Sequence, residues 1–91
     1  MSRLSGVSVT TTWDAASTLD GNEDAVNVTV PGAKLGDFAL ASLGVDLVDM
    51  ILSASVTAAD TVTCVVANNT GATVDLASAT LRVKVVPFDV I

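Results

Sequence analysis

Apolar residues recur at every second position through much of this chain, and small turn-forming residues break the runs apart. Val7, Val9, Thr11 and Trp13 fall on one side of a run whose other side is Ser8, Thr10 and Thr12. A period of two marks a strand with one face buried and one wet, because successive side chains leave opposite faces of the pleat. The same reading places a strand on Val26, Val28 and Val30, stopped by Pro31-Gly32, and others over Asp37 to Leu43 and Met50 to Val56. Val56 to Val86 reads as a hairpin-like stretch. In it Thr61 to Ala67 and Thr80 to Val86 are strands, Ala58-Ala59-Asp60 and Asn68-Asn69-Thr70-Gly71 are turns, and Val74 to Ala77 is a short strand or bridge.

One segment supports two readings. Leu40, Leu43, Leu47 and Ile51 are spaced like a helical stripe. Gly44 and the β pattern on either side favour two strands joined by a loop at 44–49. Short strands with turn signals about ten residues apart predict an all-β fold, a small antiparallel β-sandwich or jelly-roll-like barrel. Ninety-one residues make a single domain over 1–91, with a flexible N-terminus at 1–6 and a C-terminal tail at 87–91. The opening Met1-Ser2-Arg3-Leu4-Ser5-Gly6 has no apolar signal core, so no secretory leader is expected. No apolar window is long enough to span a bilayer as a helix.

Composition sharpens the picture. Val, Ala and Thr supply 40 of the 91 residues, and Trp13, Phe38 and Phe88 are the only aromatics. Such small side chains bury little apolar area each, so the core is thin and self-association is the expected remedy. The lone Cys64 forms no disulfide within the chain, suits a reducing cytoplasm and falls on the inward register with Val62 and Val66. Ten acids against Arg3, Lys34, Arg82 and Lys84 give a net charge of −6. That balance predicts no direct nucleic-acid partner and no anionic membrane, since no basic patch exists to displace phosphate counterions.

Candidate chemistry is sparse. The chain has no His and no Tyr, so the commonest general base is missing. No cofactor, metal site or catalytic residue is expected; Asp46 and Asp49, like Glu23 and Asp24, read as solvated acids. Asn27-Val28-Thr29 and Asn68-Asn69-Thr70 match the glycosylation sequon and read as coincidences in an Asn- and Thr-rich β protein. Arg82 and Lys84 share one face of the last strand, which is either a solvated sheet face or charged edge, or a contact with acids on another chain. Trp13 and Phe88 are the aromatics to anchor an interface, or else they are core and lid. The candidate interface is therefore Trp13, Arg82, Lys84 and Phe88.

Several stretches together resemble small virion structural proteins of tailed bacteriophages. They are Val28 to Ala33 with Leu35 to Phe38, Val56 to Thr63, Ala67 to Gly71, and Asp75 to Val85. The resemblance runs over residues 9–86 and is one of strands and turns. It implies a non-enzymatic head decoration or cement protein, made in the host bacterial cytoplasm and carried on the capsid surface of the virion. The implied partners are the major capsid protein and further copies of the chain, a trimer before a dimer. The alternative is a tail, fibre or baseplate module that binds a receptor or glycan.

Overall fold

In the computed structural model, which describes residues 6–89, all regular structure is antiparallel β and no helix occurs among the described residues. The strands are β1 (Val7–Trp13), β2 (Glu23–Thr29), β3 (Phe38–Leu43), β4 (Ile51–Ala58), β5 (Thr61–Ala67) and β6 (Ala79–Val86). They form two three-stranded sheets, ordered β1-β6-β3 and β2-β5-β4, packed as a small sandwich. β3 runs alongside β4 on one flank, and β1 lies nearest β2 on the other.

The alternation in the sequence explains why these strands face each other. Central strand β5 turns Val62, Cys64 and Val66 inward, all three wholly buried, and central strand β6 answers with Leu81, Val83 and Val85. Val28, Val30, Met50, Val56 and Leu76 fill the space around them. Edge strands have a neighbour on one side only, so their inward rows are less covered. Val7 and Val9 of β1, and Ala39, Ala41 and Leu43 of β3, are half-buried.

The expected hairpin over Val56 to Val86 needs correction. β4 and β5 form a hairpin, while residues 68–78 carry the chain across to β6 in the opposite sheet. The two-way segment resolves to strands. Leu40 and Ile51 point outward and Leu43 inward, as alternation on two strands requires, while Leu47 packs against the core from the loop between them. Of the expected N-terminal arm, residues 1–5 lie outside the described residues, but Gly6 is packed: a Cβ there would meet the Val85 carbonyl oxygen at 2.5 Å. In the expected tail, Pro87 is buried and Phe88 is tied back to the turn before β3, while Val90 and Ile91 lie outside the described residues.

Two tertiary knots hold the loops. At the β4–β5 turn, Asp60 takes φ 61°, a left-handed conformation that Asp tolerates better than most residues. Its backbone N–H donates to the Ala33 carbonyl, its carbonyl accepts from Val30, and its carboxylate accepts from the Gly32 N–H at 2.8 Å. The turn thus pins the loop that follows β2. At the other end Thr18 and Val74 exchange two backbone hydrogen bonds, and the Asn68 backbone bonds to Gly21 and Asn22.

Candidate interaction surface

The outward face of sheet β1-β6-β3 differs from the rest of the molecule. β6 projects Thr80, Arg82 and Lys84 outward; β1 contributes Ser8, Thr10 and Thr12; β3 contributes Phe38, Leu40 and Ser42. Register sets the rows: Ser8–Lys84–Leu40 is one and Thr10–Arg82–Ser42 the next. None of the ten acids projects from these outward positions. Arg82 and Lys84, two of only four cations in a chain of net charge −6, therefore form a stripe along the centre of the sheet. Because β6 is the central strand, the pair is not a charged edge guarding against aggregation. Ser8, Thr10, Leu40, Ser42, Arg82 and Lys84 line an open depression of about 230 Å³.

Apolar surface continues this face toward one end of the sandwich. Phe38 and Leu40 are 50% and 61% exposed, although both sit in a strand. Phe38 is opposite Val86, and beyond it lie Phe88 and Leu35, also more than half exposed. Asp37 organises this end: its Oδ1 accepts from the Phe88 N–H at 3.1 Å and its Oδ2 from the Lys34 N–H at 3.1 Å. Gly36, at φ 94°, supplies the left-handed backbone of the turn that places Asp37, a conformation that favours glycine.

The four expected interface residues separate here. Arg82 and Lys84 lie together in the depression, and Phe88 stands exposed at the end of the same sheet. Trp13 does not join them. It is 6% exposed and belongs to the core, because the last residue of β1 pairs with Ala79 and continues the inward row of Val7 and Val9. That inward register is present in the sequence alternation. Leu40 and Phe38 do not stand out from sequence, since their outward direction follows from the register between β3 and β6.

The opposite sheet presents a plainer face. Thr57 donates to Thr63 and Thr63 to the Asn27 Oδ1, both at 2.8 Å, so these groups satisfy one another. Among the described residues no group of three or more His, Cys, Asp and Glu is placed to hold a metal. Asp46 braces its own loop by accepting from the Val48 N–H at 2.9 Å. Burial pushes the Cys64 thiol above its ordinary pKa, the opposite of what a nucleophile needs. Comparison with protein-family models, curated proteins and solved structures finds no match for this chain.

Proposed function

We propose that the chain is a non-enzymatic structural protein of a phage virion, a decoration protein whose cationic and apolar sheet face binds the major capsid protein on the outside of the head. The observation that carries this reading is the acid-free face around Arg82, Lys84, Leu40 and Phe38 on a chain of net charge −6. Cations beside exposed apolar groups fit a partner surface that carries carboxylates around an apolar centre. The charges would set orientation and the apolar groups would supply desolvated contact. A protein that binds the assembled lattice and not its free subunits stabilises the lattice by mass action, with no catalytic residue. Many copies on a repeating shell make modest single contacts sufficient.

The test is addition of the purified chain to undecorated capsids. Sedimentation with the shells, and a higher temperature of shell disruption, is the expected result. Arg82→Glu/Lys84→Glu should fold normally yet remain in the supernatant. Recovery of the chain from isolated tails, with none on heads, overturns the reading.

A further inference from the structure

Four strands lie at sheet edges, and they are protected unequally. β4 carries an irregularity between Val56 and Ala58, and β3 lies against β4. β2 begins with the acids Glu23 and Asp24. β1 has no such device: Val-Ser-Val-Thr-Thr-Thr-Trp has no charge, no Pro and an unbroken seven-residue register against β6. An uncharged, regular edge leaves a row of backbone donors and acceptors ready to pair with another strand. Its inner row is also under-covered, with Val7 and Val9 half-buried and Thr11 exposed although all three follow the buried Trp13 register.

We infer that β1 is the seam of a two-fold dimer, in which two copies of β1 pair antiparallel with Thr10 opposite the partner's Thr10. The occupant is argued from the strand itself. In this register Val7 meets Trp13 and Val9 meets Thr11 on the inner side, while Ser8 meets Thr12 and Thr10 meets Thr10 on the outer side. Inside stays inside and outside stays outside, so the two sheets continue as one six-stranded sheet. Hydroxyl–hydroxyl pairs across strands are favourable ones, and the half-buried Val7 and Val9 gain cover, while Trp13 is already buried in its own core. No charged side chain of β1 confronts its copy, which matters for a chain of net charge −6; pairing through β2 would add Glu23 and Asp24 to the seam. A two-fold axis also closes the assembly at two copies and leaves no growing edge at β1. This inference rests on the edge and stands apart from capsid binding, since the Arg82–Lys84 face remains open in the dimer.

Analytical ultracentrifugation of the full chain, from micromolar to submillimolar concentration, tests it. A monomer–dimer equilibrium is expected. Thr10→Asp places like charges at the axis and should weaken the dimer by about fivefold or more. The fold should be kept, because Thr10 is exposed and sits opposite Arg82. Thr10→Lys should weaken the dimer in the same way, which covers the case of an Asp variant that fails to fold. Under mild oxidation Thr10→Cys should give a covalent dimer far faster than Ser55→Cys, which is exposed on the other sheet. A wild-type chain that stays monomeric or forms trimers overturns the inference. So do Thr10→Asp and Thr10→Lys variants that dimerise like wild type, and so does equal crosslinking at the two cysteines.

Discussion

The side-chain amide of Asn68 donates to the backbone carbonyl of Thr18 at 2.8 Å, 50 residues away in the chain. The same nitrogen donates to the Ala72 carbonyl, and the side-chain oxygen accepts from both the N–H and the hydroxyl of Thr70. Asn68 is wholly buried, and its amide closes the 68–74 loop onto the segment between β1 and β2. With all four of these bonds made inside the protein, the side chain is a structural clasp. It offers no accessible nitrogen for a glycan, whatever the sequon around it.

Asn68→Ala should lower the unfolding free energy by about 2–4 kcal/mol, because it removes four hydrogen bonds from a buried site: the Thr70 N–H loses its acceptor, the Thr18 carbonyl keeps only the Val74 N–H, and the Ala72 carbonyl keeps only the Thr70 hydroxyl. Thermal denaturation followed by circular dichroism is the measurement. Asn69→Ala, one residue on and exposed, should stay within about 0.5 kcal/mol of wild type.

Val83→Asp and Lys84→Ala are adjacent changes with opposite outcomes. Val83 is 1% exposed between the sheets, so a carboxylate there has neither water nor a cation and should abolish the native fold. Lys84 points to solvent, and its truncation should shift stability by about 0.5 kcal/mol at most. Proton NMR dispersion separates the two results, and loss of capsid binding by the folded Lys84→Ala chain would then report on contact alone.

Cys64 supplies a pH dependence. Burial raises its pKa in the folded state above the ordinary thiol value, so the folded chain holds this proton longer than the unfolded one. The associated stability is full below the ordinary value and is lost as pH rises from there through the folded pKa. Chemical denaturation at about pH 7 and about pH 10 should therefore give a lower midpoint at the higher pH, and Cys64→Ala should reduce that difference. Thiol labelling of the native chain at neutral pH should be slow and should track unfolding.

Val48 holds φ 53° in the loop between β3 and β4, followed by Asp49 at φ 69°. A β-branched residue in the left-handed region costs about 1–2 kcal/mol relative to glycine or asparagine. Val48→Asn should therefore raise the melting temperature, by about 4–8 °C for each kcal/mol recovered. The side chain is 53% exposed, so little packing is lost in exchange.

Much of this fold is legible in the chain because alternation reports burial directly. β1 and β5 have the predicted bounds, Val7–Trp13 and Thr61–Ala67, and the expected bridge near Val74 is made with Thr18. What alternation does not report is which sheet a strand joins. Thr61–Ala67 and Ala79–Val86 look like neighbours in sequence, yet each turns the same apolar pattern toward the other from opposite layers. Asn68 reads as a turn residue because its neighbours are turn formers; its burial depends on Thr18, which no local pattern connects to it. The interaction face is half visible. Arg82 and Lys84 stand out by charge, but Leu40 and Phe38 join them only through cross-strand pairing.

The pairing of β1 with β6 joins the first strand of the described residues to the last. During synthesis β1 leaves the ribosome with its partner not yet made, and stays single until residues 79–86 follow it out. Any product cut short before then lacks the middle strand of a whole sheet, so residues 79–86 must be made before the native state of this sandwich exists at all.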